Sequence, residues 1–96
     1  MTSQAMEAGG TVDGAGDIAV ALGYTSDLPA PIVLAGGRGD LARAIRKIAE
    51  RLGVAVVVDP DAAQGLVEIA PGSFIPDRYY RIVAEILVFV GRVGAK

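Results

Sequence analysis

The chain has 96 residues, of which 52% are hydrophobic and 21% charged, with a formal net charge of −2. That is one domain's worth of chain with too much apolar content for disorder throughout, and it has no excess of positive charge to draw it to nucleic acid or anionic lipid. With no Cys, His or Trp and no Asn anywhere in the sequence, it lacks disulfides, thiolate nucleophiles, imidazole bases, the usual zinc ligands, N-glycosylation sites and any means of Asn-dependent backbone cleavage. No basic stretch leads into an apolar core at the N-terminus, and no uncharged apolar run is long enough to span a bilayer. The expectation is a cytoplasmic protein with no membrane insertion of its own.

Met1 to Gly16 is small, polar and rich in glycine, without periodicity, and reads as a disordered tail. The domain then runs over residues 17–93, with 94–96 as a second short tail. Ile18, Val20 and Leu22 alternate with smaller residues, so a strand is predicted over 17–24. Ser26, Asp27 and Pro29 form a short exposed connection, which favours an antiparallel partner strand at 31–35. A glycine-rich turn, Gly36-Gly37-Arg38-Gly39, leads into a helix over 40–52, where Leu41, Ile45, Ile48, Ala49 and Leu52 recur at helical spacing and predict one buried face. Gly53 is placed to end that helix, and the β-branched run at 54–58 is a further strand, parallel to the one before the crossover. Asp59-Pro60-Asp61 starts a short helix over 61–67 with Ala62, Ala63 and Leu66 facing inward, although Gly65 weakens it. Residues 69–75 are irregular. Pro76 and Asp77 start the last helix, 76–92, whose stripe of Tyr79, Val83, Ile86, Leu87 and Val90 is widened by Ile82, Phe89 and Val93. The fold class is therefore α/β, a small mixed sheet flanked by helices.

Four features invite a functional reading. The Gly36–Asp40 turn, followed by a helix N-terminus, could cradle a phosphate, but it lacks the Lys-Ser/Thr pair of a P-loop and is read first as a structural turn. Asp59 and Asp61 could hold Mg²⁺ or act as an acid/base pair, yet capping explains acids at a helix start. Arg43, Lys47 and Arg51, at i, i+4 and i+8, form a basic stripe that is either a solvated face or a docking strip for an acidic partner. Tyr79, Tyr80 and Phe89 exceed what a small sheet covers and mark a candidate partner surface. No catalytic residue, cofactor site or metal site is assigned.

Five blocks taken in order, AVALGY (19–24), AP-IVLAGGRGDLA (30–42), IRKIAERLGV (45–54), VVDPDAAQGL (57–66) and IPDRYYRIVAEILVFV (75–90), resemble the C-terminal cytoplasmic domain of the FlhB family of flagellar and type III export switch proteins. The resemblance implies a small mixed sheet flanked by helices and a non-catalytic protein-binding module. Its expected partners are export-apparatus proteins or export substrates, with no nucleic acid. Family members also carry membrane helices, which this sequence lacks, and so the reading is of a free-standing relative. They cleave themselves within an Asn-Pro-Thr-His sequence, where the Asn side-chain amide attacks its own carbonyl carbon. Here those positions hold Gly14, Ala15, Gly16 and Asp17, so the expectation is a cleavage-deficient chain. Gly23 and Gly36 stand where the family often has Lys.

Overall fold

Alternating small and β-branched residues build a sheet with two unlike faces. In the computed structural model, which describes residues 8–14, 17–25 and 27–84, the strands are β1 (Ala8–Asp13), β2 (Ile18–Tyr24), β3 (Ile32–Arg38) and β4 (Ala55–Val58). Helix α1 (Asp40–Leu52) joins β3 to β4, and α2 (Pro60–Leu66) follows β4. A 3-10 turn at Asp77–Tyr79 continues as helix through residues 80–84. The predicted end of that helix, including Ile86, Leu87, Phe89, Val90 and Val93, lies outside the described residues, as do residues 1–7.

The strand order is β3-β2-β1-β4, with β1 antiparallel to β2 and parallel to β4, and β2 antiparallel to β3. The tail predicted over residues 1–16 is thus corrected for Ala8–Asp13, which is an interior strand of the sheet. Gly9 and Gly10 carry little strand propensity of their own. What makes this segment a strand is the pairing of its backbone on both sides. The strands on either side of α1 run parallel as predicted, but they form the two edges of the sheet with β2 and β1 between them.

One face carries the main core. Val12, Val20, Leu22 and Val33 from the strands pack with Ala62, Ala63 and Leu66 of α2, with Ile75, and with Val83 of the last helix. Each fully buried Leu or Val here contributes about 1.5–3 kcal/mol of transfer free energy. The other face is thin: Ala19 packs against Ala42 and Ile45 of α1, with Ala21 and Ala35 beside them. Leu22 pairs with Val33 while Ala21 pairs with Ala35. Leu34 is therefore an extra, bulged residue, and the bulge reverses the alternation so that Val33 and Ala35 serve opposite faces.

The buried face of α1 is narrower than its periodicity predicts. Ala42, Ile45 and Ala49 are buried, whereas Leu41, Ile48 and Leu52 are 54%, 51% and 70% exposed. A sheet face made of Ala and Gly is too flat to reach the flanks of the helix. The inward set predicted for α2, Ala62, Ala63 and Leu66, is buried. Its N-terminus is held by the Asp59 carboxylate, which accepts a hydrogen bond from the Ala62 N–H at 3.0 Å. Gly53 ends α1 in the left-handed conformation at φ 72°.

Gly65, a poor residue for a helix interior, is there because Tyr79 lies against it. A Cβ at position 65 would overlap the Tyr79 hydroxyl and lie 2.6 Å from its Cζ. Gly65→Ala is therefore expected to destabilise the domain by about 1–3 kcal/mol through overpacking. In a Tyr79→Ala background the same substitution should stabilise by up to about 1 kcal/mol, as helix propensity alone dictates. Urea denaturation of the four proteins of the cycle reads out the change of sign.

Candidate functional site

The glycine-rich stretch is not an open turn. Gly36, Gly37 and Arg38 belong to β3 and pair with Val20, Ala19 and Ile18 of β2. Gly37 is required there because the Leu41 side chain folds over it, leaving its Cβ only 2.8 Å from where a Cβ on Gly37 would sit. The turn proper is Gly39 alone, at φ 62°, and its N–H donates to the Asp17 carbonyl at 2.8 Å. Arg38 is held by Glu68 at 2.8 Å. With its glycines in a β-ladder and its arginine paired, this segment has no phosphate cradle of the kind its sequence invited.

The Asp59 carboxylate is engaged as the cap of α2. Asp61 shares a shallow recess with Arg78 and Arg81, whose guanidinium groups work against a cation site. Among the described residues no group of three or more acidic side chains gathers to hold a metal ion.

The basic stripe on α1 divides. Arg43 is tied to Asp40 and approaches Asp17 at 3.8 Å, whereas Lys47 and Arg51 are exposed and have no carboxylate partner among the described residues. Arg46, on the flank, reaches Asp13 of β1 at 3.2 Å in a half-buried pair that fastens α1 to the sheet.

Tyr79 and Tyr80 point to different places. Tyr79 packs against the main core, beneath the Arg78 guanidinium, which sits 5.0 Å from its ring centroid. Tyr80 is 43% exposed. With Ala84 it forms one wall of a dish whose other wall is Tyr24, Pro29, Ala30 and Pro31, a cavity of about 270 Å³. Loss of solvent around the Tyr80 phenol pushes its pKa above the ordinary value, and the Asp77 carboxylate adds to the rise. Phe89, the third aromatic of the predicted surface, lies outside the described residues. Composition singled out Tyr80, but Tyr24 and Pro29–Pro31 read as a strand end and a connection, and only the fold brings them beside the last helix.

Among the described residues the lining of the dish is uncharged, an apolar seat of two tyrosines, two prolines and two alanines, with Asp77 beside the Tyr80 phenol. Such a surface suits a side chain of another protein better than a metabolite, whose binding needs more converging polar groups.

Comparison with known proteins places this geometry among relatives. Residues 1–90 match the family described as "FlhB HrpN YscU SpaS Family". The chain is 39% identical over 75 residues to the flagellar biosynthetic protein FlhB of Aquifex aeolicus, covering 76% of this chain and 21% of that protein. It is 35% identical over 78 residues to the hypersensitivity response secretion protein HrcU of Ralstonia nicotianae, covering 80% of this chain and 22% of that one. It thus spans about a fifth of the length of these curated relatives. Among solved structures it superposes on the cytoplasmic domain of FlhB from Shewanella putrefaciens with a TM-score of 0.78 and 29% identity, covering 86% of this chain and 65% of that one. An EscU C-terminal domain in which one asparagine is replaced by alanine gives a TM-score of 0.78 at 28% identity, with 83% and 82% covered. The α/β fold of a mixed four-stranded sheet with flanking helices is the fold of these domains.

Proposed function

The chain belongs to the FlhB HrpN YscU SpaS family, and from that premise we propose that it is a non-catalytic protein-binding module of flagellar or type III protein export. It acts in the cytoplasm on export-apparatus proteins or export substrates, through the dish that Tyr80 forms with Tyr24 and Pro29–Pro31. The observation that carries the reading is this apolar recess on a domain whose relatives are flagellar and secretion proteins. Among the described residues no helix is long and apolar enough to cross a membrane.

The reading includes a chain that does not cut itself. The connection between β1 and β2 holds Gly14 and Asp17 where self-cleavage would require an Asn side chain, and the sequence has none. At Gly14 there is little space for any side chain, since a Cβ would lie 2.8 Å from that of Ile18 and 3.3 Å from that of Ala63. The Gly14 N–H closes the hairpin on the Ile18 carbonyl at 2.8 Å.

The test is retention of partners from an extract of cells with an active export system, using the folded chain as bait and intact mass to verify one uncut polypeptide. Export-apparatus components or export substrates should be retained. Tyr80→Ala, at an exposed position, should lower that retention about tenfold or more, as truncation of an interface tyrosine does. Recovery of no such protein by a folded bait overturns the reading.

A further inference from the structure

A second concavity lies on the thin face of the sheet, away from the Tyr80 dish. It is a groove of about 460 Å³ that runs beneath the last two turns of α1 and across all four strands. Its wall is Ile45, Ile48, Ala49 and Leu52, its floor includes Gly9, Thr11 and Ala21, and the bulged Leu34 forms its far lip. The groove exists because the sheet offers no side chain at Gly9 and only methyl groups at Ala21 and Ala35, too little to fill the space beside Ile48 and Leu52.

Three observations say what such a groove accepts. First, Leu34, Ile48 and Leu52 are 43%, 51% and 70% exposed along one lip and wall, an aliphatic strip left uncovered among the described residues. Second, Thr11 is 1% exposed, so the floor presents mainly glycine and alanine to an occupant and suits an apolar one. Third, the helix surface above the strip is positive. Lys47 and Arg51 stand one turn apart beside Ile48 and Leu52, both without a carboxylate partner among the described residues, while Glu50 shares the opposite flank with Arg46 by i, i+4 spacing.

We propose that this groove docks an acidic amphipathic helix of another protein. Aliphatic side chains at i, i+3/i+4 and i+7 fill the space between Leu34 and the Ile48–Leu52 wall, and carboxylates on the flank of that helix face Lys47 and Arg51. The charge on the rim selects an acidic partner over a basic or neutral one of the same shape. Because this surface is on the other face of the sheet from the Tyr80 dish, the proposal stands apart from the reading of that dish, and both could be engaged at once.

The experiment uses a fluorescein-labelled synthetic peptide of about 20 residues, with leucine at helical spacing and glutamate on the adjoining positions. Its anisotropy is followed on titration with the full chain. Saturable binding at micromolar protein is expected, weakening as salt is raised. Lys47→Glu with Arg51→Glu, both at exposed positions that leave folding intact, should weaken it about tenfold, as two exposed charge pairs allow. Ala21→Phe, which fills the groove from the floor, should abolish it, with circular dichroism checking that the fold persists. A second route that leaves the floor untouched is Leu52→Glu, which should also abolish binding. The proposal is overturned if the glutamate peptide does not bind, if a lysine-for-glutamate peptide binds equally well, or if the double charge reversal has no effect. It is equally overturned if sedimentation shows the chain pairing with itself through this face in a dimer that Leu52→Glu dissolves.

Discussion

A chain beginning at residue 14 is expected not to fold. It would lose β1, which pairs with β2 on one side and β4 on the other, and with it Val12, which is fully buried in the main core. Strand β4 would be left without a neighbour among the described strands, since β1 is the one it pairs with. The hydrogen bonds of two ladders, at about 0.5–1.5 kcal/mol net per bond, together with the burial of Val12 at roughly 1.5–3 kcal/mol, are comparable with the whole 5–15 kcal/mol that typically holds a domain folded. Circular dichroism and calorimetry of the shortened chain should show no cooperative transition. A melt unchanged from that of the whole chain would mean that Ala8–Asp13 is a dispensable tail after all.

The second large effect separates two leucines that look alike in the sequence. Leu66 and Leu52 each close an apolar stripe near the C-terminal end of a helix, yet Leu66 is fully buried and Leu52 is 70% exposed. Leu66→Ala is expected to cost about 3–5 kcal/mol through lost transfer energy and the cavity left behind. For a domain of this length that is a fall in Tm of roughly 15 °C or more. Leu52→Ala should stay within about 0.5 kcal/mol. Thermal melts of the two variants side by side decide it, and equal losses would refute the asymmetry between the two faces of the sheet.

These contrasts show which parts of the fold could be read from residues alone. Strand β2, α1, β4 and α2 announced themselves because Ile18-Val20-Leu22, Ile45-Ala49 and the Val56–Val58 run carry their own periodicity, and Asp59-Pro60 carries its own cap. Strand β1 did not, because the sequence Ala8-Gly9-Gly10 owes its conformation to the strands beside it. The length of β3 was hidden for a related reason: Gly36 and Gly37 look like turn residues until Leu41 is seen to need the space above Gly37. Periodicity located the apolar stripe of α1 but could not tell how far a surface of alanines and glycines would reach around it. Within the candidate site, Tyr80 stood out by its chemistry. Tyr24 and Pro29–Pro31 became part of the same surface only through tertiary packing.

The flanked position of β1 also bears on how the domain answers to force. A pull on Ala8 along the strand axis meets an antiparallel ladder on one side and a parallel one on the other, and it loads both in shear, so their hydrogen bonds must yield together. The short β4, with one neighbour, would instead peel from its edge a bond at a time. The first described element in the sequence is thus the mechanical clamp of the domain, and tension arriving from its N-terminal side would be borne by the sheet as a whole.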